Sequence, residues 1–227
     1  MPVVSAPTVR DGRAAAGTTP VSVVRLGLAL LILASVLATF LDTAGHTAIN
    51  PFNFFGYFTL QSNLLMAAVW IWVGMAGLSG RRVPRIADYV RASTTTYVAL
   101  VGLVYATLLA PLGVAGGVPV PWANVVLHVV IPIAAVLDWI FVADRDVLDW
   151  RVLPVVLSYP VVWLAVVIIR GATDGWVPYP FLDPDRGYGA VAVTVIAITV
   201  VTVMAGAAVF ALSRLSLPGG RTAPRAT

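Results

Sequence analysis

The sequence predicts an all-α, polytopic membrane protein: a bundle of six transmembrane helices with both termini in the cytoplasm. Three observations predict it. The 227 residues are 59% hydrophobic and only 11% charged, whereas soluble domains carry about 25% charged and 45–50% apolar residues. Six stretches approach or exceed the run of about 20 apolar residues that spans a bilayer. The arginines then sort to one side of those spans. This composition leaves too little polar surface to coat a soluble core, and excludes disorder and a disulfide scaffold.

The first span runs from about 21 to 41 and is broken only by Arg25. Arg10 and Arg13 precede it, as in a signal peptide. The run, however, exceeds the usual apolar core of about 7–15 residues and no small-x-small cleavage site follows, so it reads as a span. The second span covers about 55–78, and the third about 89–114 with a polar start at Arg91 and Ser93 to Thr96. The fourth covers about 122–142, the fifth 152–169 and the sixth 188–212. Val and Ile abound, but long runs without period-two alternation are helical rather than barrel strands. Residues 1–20 and 213–227 are short and polar, and are expected to be mobile flanks of a single 21–212 transmembrane domain. The loop 171–187 carries Trp176, Tyr179 and Phe181, rings that suit a membrane–water interface.

All basic residues are arginine, all acidic residues are aspartate, and cysteine is absent. With the N-terminus inside, Arg10, Arg13, Arg25, Arg81, Arg82, Arg85, Arg91, Arg145, Arg151, Arg214, Arg221 and Arg225 all lie toward the cytoplasm. Only Arg170 and Arg186 lie outside. This is the positive-inside asymmetry of an integral cell-membrane protein. The net charge of +4 is therefore topological, and no nucleic-acid partner is needed to explain it. Two histidines without Cys or Glu make no zinc-ligand set, and no glycine-rich phosphate loop or other cofactor motif is present.

Polar groups within spans are costly and point to function or to pairing. Thr59, Ser62 and Asn63 share one face of span two by their spacing of three and four. They serve either as interhelical hydrogen-bonding groups or as a site. His128 in span four follows Asn124 by one turn. It is either a satisfied core residue or the one side chain suited to proton transfer near neutral pH. Both sets fall roughly 6–9 Å below the outer edge at 1.5 Å per residue, so they meet if the two spans are neighbours. Tyr105 lies at a comparable depth in span three, and Asp42 or His46 is placed to assist His128. At the cytoplasmic side, Arg25 and Asp138 match in depth and are expected to form a structural ion pair, with Arg91 as a competing partner. Asp138 is about 15 Å along the helix from His128, too far for one compact triad.

The run Phe54-Phe55-Gly56-Tyr57-Phe58-Thr59-Leu60-Gln61-Ser62-Asn63 resembles the signature of the Pr6Pr family of bacterial six-transmembrane proteins. The stretch Tyr179-Pro180-Phe181-Leu182-Asp183-Pro184, and His128 followed by Pro132, resemble that family too. The Pr6Pr family is in turn similar to the androgen-induced and androgen-dependent TFPI-regulating proteins, threonine hydrolases that cleave fatty acid esters of hydroxy fatty acids. That resemblance implies Thr59 as nucleophile and His128 as general base acting on a lipid-like ester from the bilayer. Asn63, Asn124 and Tyr105, with Ser62 beside them, are then pocket or oxyanion candidates. The flanking Gln61-Ser62-Asn63 departs from the eukaryotic pattern. The alternative is a non-catalytic transporter or small-ligand-binding protein built on the same polar pocket. A closed bundle would instead suit a structural subunit. The separation of Thr59 from His128, and the direction in which a cavity opens, discriminate among these.

Overall fold

A computed structural model describes residues 19–81, 83–142 and 144–215. Among the described residues there are helices and no strands, and six helices are long and apolar enough to cross a membrane: α1 (Thr19–His46), α2 (Phe58–Leu78), α3 (Ile86–Gly113), α4 (Pro121–Phe141), α5 (Trp150–Thr173) and α6 (Tyr188–Leu212). In a bilayer only a helix satisfies its own backbone groups within one apolar segment. The protein is thus a multi-pass membrane protein in architecture.

Helix boundaries depart from the sequence expectation where side chains meet backbone. α1 runs on to His46 through polar residues, where Thr43 donates to the Thr39 carbonyl at 2.8 Å and His46 Nδ1 lies 2.7 Å from the Asp42 carbonyl oxygen. α2 begins at Phe58 rather than near 55. Pro51–Phe54 forms a separate turn, capped by Asn50, whose side-chain oxygen accepts from the backbone of Phe52 and Asn53. Gly56 breaks the chain between them: a Cβ there would lie 2.5 Å from the Trp176 ring and 2.7 Å from the Phe52 carbonyl oxygen. The N-terminal flank expected to be mobile lies outside the described residues except for Thr19 and Pro20, which already belong to α1. At the other flank only residues 213–215 are described. There Ser213 is buried and accepts from Leu148 N–H, and Arg214 donates to the carbonyls of Phe210 and Leu148.

α3 is the central helix, packed against α2, α4, α5 and α6, while α1 lies along α2 and touches α4. Two apolar clusters flank it. One joins α1, α2 and α4 around Ile32, Met66, Trp70 and Leu127. The other joins α3, α4, α5, α6 and the 179–182 loop around Tyr97, Trp139, Phe181 and Phe210. Outward faces of α5 and α6 remain apolar and exposed, as at Val162, Ile169, Val193 and Met204. Such faces suit lipid, in which helix contacts rest on close packing and polar links rather than on apolar burial.

The loops gather at opposite ends of the bundle. At one end Arg85 donates to Val147 O, Asp88 accepts from Asp146 N–H, and Arg214 reaches Leu148 O. This arginine end holds a larger charge cluster than the expected pair. Arg25 binds Asp138 at 2.9 Å and also Asp144 at 2.6 Å, both through forked contacts. Arg91 does not compete for Asp138; it joins, at 3.3 Å from Asp138 and 2.9 Å from Asp144. Asp144 lies beyond α4, in a loop that folds back into the bundle end, and so has no place in a count of depths along spans. Burial alone raises the Asp144 pKa, but Arg91 and Arg25 outweigh it and hold the carboxyl below its usual range.

Candidate active site

The opposite end of the bundle brings Thr59 and His128 together. Thr59 is in the first turn of α2, and its Oγ1 lies 3.4 Å from His128 Nε2 on α4. Both side chains are buried. The other ring nitrogen fixes the tautomer: His128 Nδ1 is 3.1 Å from the Asn124 carbonyl oxygen, which can only accept. Nδ1 therefore carries the proton, and the lone pair of Nε2 faces the threonine hydroxyl. A backbone carbonyl thus fills the orienting position that a carboxylate holds in a triad. Asp42 and His46, expected as possible helpers of His128, instead contact one another, with His46 Nδ1 2.7 Å from the Asp42 carbonyl oxygen and 75% of the His46 side chain exposed.

Two local departures from α-helical winding position the histidine. Val126–Val130 on α4 and Tyr105–Leu109 on α3 are π-helical turns. Turns of this kind shift backbone bonding to the fifth residue and recur at functional sites. They face one another, and the Tyr105 and His128 rings stack with centroids 4.3 Å apart and planes at 22°. Asn124 Nδ2 donates to the Tyr105 hydroxyl at 2.7 Å, and its Oδ1 accepts from Val118 N–H. Tyr105 and Asn124 therefore hold the imidazole from the side.

None of the expected oxyanion candidates, Asn63, Asn124, Tyr105 and Ser62, lines either of the two cavities beside Thr59. Both amide protons of Asn63 are used, toward the carbonyls of Thr59 at 2.8 Å and Leu127 at 3.3 Å, so Asn63 ties α2 to α4 beneath the site. Ser62 is fully buried, lines neither cavity, and its Oγ has no hydrogen-bond partner among the described residues.

A group the sequence reading left at the interface belongs here. The Tyr179 hydroxyl, on the loop between α5 and α6, accepts from Thr59 N–H at 3.2 Å and lies 3.4 Å from Thr59 Oγ1. Its ring is buried between Phe181, stacked at 5.1 Å, Tyr57 at 84° edge-to-face and Trp163 tilted at 51°. Burial pushes its phenol up to about 12, so it keeps its proton throughout the neutral range.

Thr59 and Tyr179 also line both of two adjoining cavities, together with Leu109. The first, about 210 Å³, is an apolar chamber walled by α2, α3, α5 and α6. Its rim includes Val161 on α5 and Val203 on α6, which are 60% and 40% exposed on the lipid-facing flank. The second, about 380 Å³, is a vestibule toward the loops with a more polar wall than the chamber's, Thr39, Thr43, Asn50, Asn53 and His128 being among its lining residues. Exposed residues Thr47 and Pro119 place its mouth at the end of the bundle. Neither cavity is lined by Arg25, Arg91, Asp138 or Trp139, and these fill the bundle toward the arginine end.

Close helix approach sets the site's width. A Cβ at Gly102 on α3 would lie 2.8 Å from Pro132 Cβ and 3.4 Å from the His128 carbonyl oxygen. Gly102→Val is therefore expected to push α4 away from α3 and to cost about 1–3 kcal/mol, read as a lower melting temperature in detergent. The chain matches no protein-family model, no curated protein and no solved structure.

Proposed function

We propose that the protein is an intramembrane threonine hydrolase of lipid esters, of the fatty acid ester of hydroxy fatty acid type. The observation that carries the reading is the position of Thr59 Oγ1: 3.4 Å from a histidine nitrogen with a free lone pair, on the wall shared by an apolar and a more polar cavity. An acyl chain lies in the chamber after sideways passage between α5 and α6. Water arrives through the vestibule. There Thr39 and Thr43 donate their hydroxyl protons to their own helix and so present acceptor oxygens.

The reaction proceeds in two balanced halves. Thr59 Oγ1 attacks the ester carbonyl carbon, the carbonyl π pair moves to its oxygen, and the threonine proton passes to His128 Nε2. Collapse breaks the bond to the alkoxy oxygen, which leaves as an alcohol with the proton from His128. Water then adds to the acyl-threonine and gives a proton to His128. The second collapse frees the carboxylic acid and returns that proton to Thr59. At 3.4 Å the hydroxyl and imidazole are slightly long for a hydrogen bond, as resting catalytic contacts often are before substrate tightens them.

The arginine end carries Arg81, Arg85, Arg145, Arg151 and Arg214, against Arg170 and Arg186 at the other, so we place it and both termini at the cytoplasmic face. The test is covalent labelling with a long-chain fluorophosphonate, followed by peptide mapping. The adduct is expected on Thr59, and to be absent from Thr59→Ala. A labelled wild type with its adduct elsewhere, or no label at all, overturns the proposal.

A further inference from the structure

We infer that Tyr179 is a third catalytic residue, the hydrogen-bond donor that stabilises the oxyanion formed on the acyl carbon. The inference rests on the hydrolase reading above.

The hydrogen bonds leave Tyr179 one assignment. Its oxygen accepts from Thr59 N–H. When the Thr59 hydroxyl donates to His128 Nε2, the contact between Tyr179 and Thr59 Oγ1 at 3.4 Å can only run from the phenol to the threonine. The phenolic proton therefore points at the reacting oxygen. In the tetrahedral intermediate the oxyanion sits two bonds from Oγ1, within reach of the same donor, and the charge is held there without proton transfer. On collapse the electron pair returns to the carbonyl and the phenol keeps its proton.

Three surroundings suit the role. Thr59 is in the first turn of α2, whose N-cap Tyr57 supplies no side-chain bond, so the positive end of the helix dipole lies beside the Tyr179 hydroxyl and favours negative charge nearby. Ring contacts to Phe181, Tyr57 and Trp163 hold the phenol in place, as a preorganised donor requires. Among the donors expected from the sequence, Asn63 has both amide protons bound to carbonyls, and Asn124, Tyr105 and Ser62 line neither cavity. Tyr179 also lines both cavities, so a bound ester lies against it.

The experiment compares wild type, Tyr179→Phe and Thr59→Ala, each purified in detergent and assayed on a long-chain nitrophenyl ester. Phenylalanine keeps the ring contacts and loses only the hydroxyl. Tyr179→Phe is expected to lower kcat by about 10²–10³-fold with KM within a few-fold. It is also expected to slow fluorophosphonate labelling of Thr59 in proportion, because phosphonylation develops a similar oxyanion. Binding of a fluorescent fatty acid is expected to be unchanged. A second arm places 3,5-difluorotyrosine at position 179. Its more acidic phenol preserves shape, so the alkaline limit of activity is expected to move to lower pH; a purely structural tyrosine leaves that limit in place. Full kcat in Tyr179→Phe, or an unmoved alkaline limit, overturns the role of Tyr179 while loss of activity in Thr59→Ala upholds the dyad. Full activity in Thr59→Ala removes the hydrolase reading itself.

Discussion

Thr59→Ala and His128→Ala are each expected to lower kcat for a long-chain ester by at least about 10³-fold, and the double variant by little more than either alone. Residues that act as one unit lose their joint effect when the first is removed. Without the hydroxyl there is no nucleophile, and without Nε2 the hydroxyl remains protonated and weak. Thr59 Oγ1 meets Tyr179 and His128 at 3.4 Å each. Removing that hydroxyl is therefore expected to leave the melting temperature in detergent within a few degrees of wild type. His128→Ala also vacates the ring on which Tyr105 stacks, so His128→Gln serves as its companion. Steady-state kinetics beside thermal unfolding checks the pattern. Purely additive losses would count against a shared step.

Arg25→Leu is expected to do the opposite, striking the fold first. It leaves the buried Asp138 and Asp144 with Arg91 as the remaining cation of the arginine pair. Breaking a buried pair by removing one partner costs about 3–5 kcal/mol, because the other charge stays behind without compensation. For a membrane protein this is expected as a loss of monodisperse material in detergent. Arg25→Lys is expected to rescue only in part, since an ammonium cannot reproduce the forked contacts to two carboxylates. The same cluster gives a pH dependence of defined sign. The folded-state pKa of Asp144 is depressed from 3.8. Its contribution is therefore fully present above the usual carboxylate range and is lost as pH falls through that range toward the folded value. Melting temperatures measured from neutral pH downward are expected to fall in wild type, and to fall less steeply in Asp144→Asn.

The six spans were legible because apolar length and arginine placement are one-dimensional properties. The meeting of Thr59 and His128 was partly legible too, since equal depth on two spans is simple arithmetic on helix rise. What failed to show in the sequence depends on chain folding between spans. Tyr179 lies 120 residues from Thr59 on a loop that turns back into the bundle, and its ring had an ordinary explanation at the interface. A tyrosine amid Pro178, Pro180 and Phe181 was the one available signal, because prolines stiffen a loop and a phenol adds a donor that phenylalanine lacks. Asp144 escaped for the same reason, lying past the end of α4. The π-helical turns at Tyr105 and Val126 have no simple residue signature, yet they set the stacking that holds His128. Asn63 shows the converse: its polar side chain within a span stands out in the sequence, but its amide protons serve helix contacts.

The placement of Thr59 one residue into α2 has a consequence for which lipids are reached. A bilayer is two leaflets, and an ester carbonyl at that height belongs to only one of them. On the proposed hydrolase reading the protein would draw on a single leaflet, and esters in the opposite one would be sheltered until they flip across. In sealed vesicles holding the protein in one orientation, hydrolysis of a slowly flipping ester would stop with one leaflet consumed, and a scramblase would release the rest. On that reading the bilayer itself would become part of the specificity, dividing chemically identical molecules by the side on which they reside.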